Sequence, residues 1–471
     1  MLIRQAEIAP ETELQDVLIR NGKVVAIAPT LLVEEKVPTL EARERALLPG
    51  LHDHHIHLLS LAASLQSLDI TRCKINQERE FTRQLQAENT RNSGEWLRVV
   101  GYHHSLAGDI DRYWLDQWIP DRPVKVQQRG GRLWILNSKA LEILGESKLV
   151  TAGASVERVN HEPTGRLYEL DAWLRAQLPN KPPELSEVSR ILASYGVTGL
   201  TDTTPSNGPD NWAYFAKCQQ QGDLLQRVRV MGGPQLSHQV DSDWLTRGEL
   251  KIHLLESQLP DFYELCDRIE KAHRDNRNVA IHCVTRVELI FSLEALQQAG
   301  AKPGDRIEHA SVTPPQQLQQ IRELGLRVVT QPHFIGERGD QYRVDVEPDD
   351  QPWLYRCRGF LSAGVPLAGG SDAPFGTPNP WLSMHHAVNR CTPDGHTLGE
   401  HEVLTPEQAL QLFTSELHAP GVQSTAVRVG ANADLCLLDR NWHSARKALN
   451  EVKVTTTIVD GNVIFDSMAL A

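Results

Sequence analysis

The chain has 471 residues, 40% of them hydrophobic and 23% charged, with a formal net charge of −12. This balance suits a soluble globular enzyme and argues against nucleic acid or an anionic membrane as a bulk partner. No stretch approaches the ~20 apolar residues of a membrane-spanning helix, and the first residues lack a signal peptide's apolar core. The seven cysteines (73, 218, 266, 283, 357, 391 and 436) include no Cys-x-x-Cys spacing, so reduced thiols and a cytoplasmic location are expected.

Residues 16–20 and 23–28 are strand-like runs around Asn21-Gly22, a strong hairpin signal. The apolar run Ala46-Leu47-Leu48 is interrupted by Pro49-Gly50 and followed by Leu51-His52-Asp53-His54-His55-Ile56-His57. In extended backbone, side chains at i and i+2 share a side, so His55 and His57 project together and could grip one divalent ion. Taken alone, the run is read equally well as a histidine-rich polar loop. His52 and His54 are expected to be spectators, and Asp53 to support the turn.

From residue 196 onward, short apolar runs bounded by Gly, Pro or Asp alternate with amphipathic stretches, the rhythm of βα units around a parallel sheet. Strands are predicted at 196–202, 227–231, 250–255, 279–284, 306–310, 326–331 and 365–372, with helices such as 287–296 and 315–324 between them. Residues 60–190 break this rhythm and read as a large insertion, with strand-like runs near 97–102 and 123–128. The far end returns to strands at 433–439 and 452–459, then the turn Asp460-Gly461 and 462–465. The two β-rich ends suggest one small sheet domain.

In a parallel barrel all strand ends open onto one face, so distant residues converge there. His282 and His309 end two predicted strands, and Asp372 follows Gly369-Gly370-Ser371. Each alone is more economically a hydrogen-bonded rim residue; together with His55 and His57 they predict a metal site. Lys251 lies in an apolar strand, where its charge must be paired or removed. Carboxylation of the amine by CO₂ would give a carbamate able to bridge two ions; the competing reading is a lysine snorkelling to the rim. Lys251, His282 and His309 are each about one βα unit apart.

These residues resemble the amidohydrolase superfamily: Pro49-Gly50-x-x-Asp53-x-His55-x-His57, the strand lysine, two strand histidines and Ser371-Asp372-Ala-Pro. Trp96-Leu-Arg-Val-Val-Gly, Arg122-Pro-Val, Asn137-Ser-Lys-Ala-Leu, Gly196-Val-Thr-Gly-Leu-Thr-Asp, Leu404-Thr-Pro-Glu-Gln-Ala-Leu and Gly430-Ala-Asn-Ala-Asp-Leu resemble the amidohydrolase-3 or YtcJ-like branch, which includes N-substituted formamide deformylases. The resemblance implies an α/β fold, a TIM-like (β/α)8 barrel with a small β-sandwich domain formed from both termini. The expected division is 1–48 plus 420–471 for the sandwich and 49–419 for the barrel. It further implies hydrolysis of a C–N bond in a small molecule (amide, formamide or cyclic imide) by a metal-activated hydroxide.

In that scheme His55 and His57 hold one ion, His282 and His309 a second, and carboxylated Lys251 bridges them. Asp372 ligates the first ion and serves as general base, then general acid. Two Zn²⁺ per chain are expected from the mixed N/O donors, with iron or manganese as alternatives. His333, placed on the strand after His309, is expected to touch substrate or oxyanion, or equally to be a rim histidine with an ordinary hydrogen bond. Asp202 is expected to orient a metal histidine from behind. The branch carries Gly-His where this chain has Gly131-Arg132, and its strand lysine runs into Asp-Gly, absent after Lys251 here. Arg132 and Arg129 are candidates to meet a substrate carboxylate, because guanidinium forks match carboxylates; as arginines on an insertion they are equally well read as solvated surface residues. Partners beyond a small-molecule substrate are not expected, and homo-oligomerisation is left open. The alternatives are a mononuclear metal-dependent deaminase on the same barrel and, further off, a catalytically silent binding barrel.

Overall fold

The computed structural model describes residues 1–8, 13–34, 36–70, 77–91, 96–129, 131–177 and 182–467. Cys73 lies outside them; the six other cysteines are unpaired. The chain divides into two compact units, one of residues 1–58 and 185–471, the other of residues 59–184. Among the described residues no helix is long and apolar enough to cross a membrane.

The first unit holds a parallel eight-stranded sheet: β1 (Leu51–Ile56), β2 (Val197–Asp202), β3 (Arg227–Gly232), β4 (Leu245–His253), β5 (Val279–Cys283), β6 (Arg306–His309), β7 (Arg327–Thr330) and β8 (Leu367–Gly369). Each strand pairs with the next, and helices such as Phe262–Arg274, Arg286–Ala299 and Pro315–Glu323 return the chain. The segment after β8 brings the two edges together. Asp372 N donates to His55 O at 2.7 Å, and His57 N donates to Ala373 O at 2.9 Å. The sheet is thus a near-closed (β/α)8 barrel, as the βα rhythm and the resemblance led one to expect.

The barrel interior is charged rather than wholly aliphatic. Arg229 pairs with Glu249 at 3.3 Å, and Arg306 forks onto Glu308, all but Arg229 fully or almost fully buried. Facing positions in parallel strands share a face, and the register sets Lys251 against Ala280, His253 against His282 and His282 against Glu308. One face of β4, β5 and β6 therefore carries Lys251, His253, His282, Arg306 and Glu308.

Strands from both ends build a second sheet, in the order Asn462–Asp466, Val454–Val459, Leu435–Leu438, Ala46–Pro49, Leu2–Ile8, Leu14–Arg20 and Lys23–Ala28, with Thr39–Glu41 pairing Leu2–Ile8. The Asn21-Gly22 hairpin forms, with Arg20 opposite Lys23. The strand Ala46–Pro49 continues through Gly50 directly into β1. A Cβ on Gly50 would lie 2.2 Å from Thr198 Oγ1, so only glycine fits this junction.

The second unit is built on a six-stranded sheet in the order 156–159, 162–168, 133–136, 124–128, 97–102 and 68–69. Phe81, Leu97, Val99, Leu115, Val124 and Val126 form part of one of its apolar clusters, and Trp134, Leu136, Leu141 and Leu167 part of another.

Candidate metal centre at the strand ends

Alternation along β1 sorts its histidines. His55 is fully buried and His57 follows the strand's last residue. His52 Nδ1 instead meets Ser415 O at 2.5 Å, and His54 Nε2 meets Ser415 Oγ at 3.0 Å. Asp53 accepts from His55 N at 3.1 Å and Ser371 N at 2.9 Å, locking the strand against the segment that carries Asp372. Burial pushes its carboxyl up to about 6.

Asp372 reaches this site through unusual backbone. A Cβ on Gly370 would lie 2.4 Å from His55 Cβ, so the chain crosses His55 only because that residue is glycine. Asp372 then adopts a left-handed conformation, φ 52°. Its Oδ1 lies 3.4 Å from His55 Nε2 and 3.2 Å from His57 Nε2. One ligand atom from each of these three residues falls within 4.8 Å of the others, and they form the only such His/Cys/Asp/Glu group among the described residues.

His309 arrives by the same device. Glu308 already faces the barrel interior, so alternation alone would turn His309 away. Left-handed backbone at His309 (φ 67°) and Ala310 (φ 47°) re-aims the ring inward. Its centroid stands 4.7 Å from that of His55 and 4.5 Å from that of His282. His253, one strand over, sets its ring edge-on to His282 at 4.4 Å. Burial drops His309 to about 3 and holds His282 well below the usual imidazole range, so both rings are neutral and able to ligate.

The rings are held from behind. His55 Nδ1 contacts Glu308 Oε2, His57 Nδ1 lies 3.1 Å from Thr204 Oγ1, and His309 Nδ1 lies 2.8 Å from Gln331 Oε1. Carboxylate and amide oxygens only accept, so His55 and His309 carry their proton on Nδ1 and leave Nε2 as donor to an ion. Asp202 acts one step further back, accepting from Thr204 N at 3.0 Å and Leu58 N at 2.7 Å. Sequence reasoning missed Glu308, Thr204 and Gln331.

Lys251 is buried, and its Nζ has no hydrogen-bond partner; the nearest carboxylate is Glu308 Oε2 at 3.9 Å. Burial lowers the amine's pKa more than Glu308 restores it. His55 Nε2 is likewise buried without a hydrogen bond. His55 stands between two carboxylates, Glu308 on one nitrogen and Asp372 facing the other. Burial and Lys251 oppose a charge there, yet the two carboxylates outweigh them and hold this imidazole above its ordinary value. A site that favours positive charge between His55 and Asp372, lined by imidazole rings and one carboxylate, fits a divalent cation.

His333 corrects one expectation. Pro332 follows the end of β7, and His333 opens the helix His333–Asp345 rather than lying on a strand. Its Nε2 meets Ser371 O at 3.0 Å and its Nδ1 Ser383 Oγ at 3.1 Å, so the protein engages both nitrogens of this fully buried ring. Arg132 lies in the second unit, exposed and paired with the exposed Glu169.

Residues 39–465 match the model of the amidohydrolase family. The chain is 25% identical to N-substituted formamide deformylase of Arthrobacter pascens, covering 95% of this chain and 94% of that protein. It is 22% identical to YtcJ of Bacillus subtilis (strain 168), a protein named as an amidohydrolase, over 96% of each. Among solved structures, an uncharacterized metal-dependent hydrolase from Pyrococcus furiosus superposes with a TM-score of 0.72 at 21% identity, covering 93% of this chain and 98% of that one.

Proposed function

Because the chain belongs to the amidohydrolase family, in its amidohydrolase-3 branch, we propose that it is a metal-dependent hydrolase cleaving the C–N bond of a small-molecule amide, formamide or cyclic imide. The observation that carries this reading is the convergence of His55, His57 and Asp372 within 4.8 Å at the strand ends. His55, His57 and Asp372 would hold one divalent ion; His282 and His309 would hold a second, with Lys251 as a bridging carbamate. Zinc suits this donor set best. Bound there, such ions supply Lewis acidity, lowering the pKa of water and polarising the scissile carbonyl.

The chain's own groups supply the rest. The carboxylate of Asp372, kept ionised by His55 and His57 against the cost of burial, takes a proton from the attacking water and returns it to the leaving nitrogen. Lys251 Nζ, which makes no hydrogen bond, is available for carboxylation, which joins the amine to CO₂ and releases one proton. His333, with its nitrogens meeting Ser371 O and Ser383 Oγ, positions the Ser371–Asp372 segment that faces the substrate. Arg132 is the proposed partner of a substrate carboxylate.

Assay of a panel of N-substituted formamides, amides and imides tests the reading: chelation should abolish turnover and zinc should restore it. Turnover that persists after every ion is stripped would overturn it. One contact favours a second reading, a mononuclear deaminase-type centre. Lys251 stands 3.9 Å from Glu308, close enough for an ammonium to find its counter-charge there without carboxylation.

A further inference from the structure

Glu308 is fully buried and receives three cationic or proton-bearing groups. Its Oε2 accepts from His55 Nδ1 and, at 3.1 Å, from Arg306 Nη2; its Oε1 accepts from Arg306 Nε; Lys251 Nζ stands 3.9 Å away. Arg306, also fully buried, donates from Nη2 to His54 O at 2.8 Å. Thus β6 grips β1 twice across the barrel, at the backbone of His54 and at the side chain of His55, although the two strands are not neighbours in the sheet.

We propose that Glu308, oriented by Arg306, is the positioning residue that fixes the His55 ring with Nδ1 protonated and Nε2 facing Asp372, and thereby sets the affinity of the centre for its first ion. The inference rests on the metal-dependent reading above. A carboxylate on the far nitrogen fixes the tautomer of a ligating histidine and raises its basicity. Three features favour this role over a plain Arg306–Glu308 ion pair. The carboxylate contacts the imidazole directly. Arg306 braces both the carboxylate and the strand bearing the ligand, so ring and backbone move as one body. His55 Nε2 has no hydrogen bond within the protein, leaving that atom as its outward-facing donor.

The test measures zinc affinity by competition with a chromophoric chelator, using zinc sulfate and the full chain, for wild type, Glu308→Gln and Glu308→Leu. Glu308→Gln keeps the shape and one acceptor but loses the charge; Glu308→Leu loses both. Zinc binding should weaken in that order, by about 10-fold and about 100-fold, while melting of the metal-free variants reports any purely structural loss separately. Histidine-selective ¹⁵N labelling of the zinc-loaded wild type should show His55 protonated at Nδ1, a readout that needs no variant and stands even where Glu308→Leu does not fold. Wild-type affinity in both variants, or His55 protonated at Nε2 in the wild type, would overturn the proposal alone. Failure of the wild type to bind zinc would overturn the metal-dependent reading together with it.

Discussion

His57 Nε2 and Asp372 Oδ1 lie 3.2 Å apart, brought together by the hydrogen bonds that join the last barrel strand's extension to the first. Asp372→Asn keeps an oxygen at that position and tolerates the left-handed backbone, because asparagine is among the residues that enter that region most readily. The variant should retain the wild-type fold by circular dichroism yet lose about 10³-fold in kcat/KM on every substrate the wild type turns over. Retained turnover would exclude Asp372 as the proton-transferring group.

Replacing Lys251 separates the two metal counts. Methionine has comparable volume and no ionisable group, so Lys251→Met disturbs packing little. If the carbamate bridges two ions, elemental analysis should show about two zinc per wild-type chain and about one in the variant. Wild-type protein incubated with ¹³C-bicarbonate should also show a carbamate carbon resonance that Lys251→Met lacks. Equal metal content and no such resonance would leave Lys251 as a charge partner of Glu308.

Acid should destabilise the metal-free protein early. His309 and His333 are driven to about 3 by burial, and burial holds His54 well below its ordinary value. A histidine whose folded pKa is depressed binds fewer protons folded than unfolded. Its contribution is therefore present above about 6.5 and is lost as pH falls below that value, by up to about 1.4 kcal/mol per pH unit for each group. Asp53, pushed up to about 6, and His55, held above its ordinary value, work with the opposite sign, but His282, which burial also holds well below its ordinary value, adds to the depressed histidines and makes four groups against two. The melting temperature of the chelated protein should fall from pH 7 to pH 5, and His333→Asn should flatten that fall. A pH-independent melting temperature would contradict the neutral state of these rings.

Phe375 sets its ring edge-on to His57 with centroids 5.7 Å apart, and 57% of the residue is exposed. Its backbone is fixed on both sides, by its N–H to Asp372 O at 2.8 Å and by Arg338 on its carbonyl. An apolar group beside the scissile bond would cover that ring. Phe375→Ala should raise KM for substrates with an aromatic N-substituent by about 10-fold, the equivalent of about 1.4 kcal/mol, with kcat changed less than about twofold. An equal change for N-methyl substrates would show that the ring supports the loop instead.

Arg132 and Glu169 are both exposed, so their pair contributes little to stability. Arg132→Ala should leave melting unchanged and lower kcat/KM about 10-fold for a substrate bearing a carboxylate, with none of that loss for its neutral ester. No difference between the two substrates would exclude Arg132 as the partner of a substrate carboxylate.

Much of the barrel was legible because it obeys simple periodicities. The i, i+2 spacing of His55 and His57 put both on one side of β1, and the Gly-Gly-Ser-Asp run allowed close approach at Asp372. What escaped was whatever depends on a neighbouring strand. Glu308 sits beside His309 in sequence, where alternation places the two on opposite faces. No glycine marks the left-handed turn at His309 that brings both inward. Thr204 and Gln331 look like ordinary polar residues after a strand until the ring they hold is known. His333 follows the predicted strand 326–331 by two residues, and only Pro332 between them hints that the strand has ended and a helix begins.

The continuity of Ala46–Pro49 through Gly50 into β1 has a consequence for how this chain tolerates change. Adding or deleting a single residue between Gly50 and His52 would exchange the strand's two faces, presenting His52 and His54 inward and the ligand pair outward. The spacing is fenced on both sides: Leu435 faces Pro49 on the sheet side, and Asp53 accepts from Ser371 N on the barrel side. A point substitution in this stretch alters one contact, whereas a one-codon insertion or deletion is read out across the whole strand. Length is constrained in this segment as strictly as the identities of Gly50 and His55.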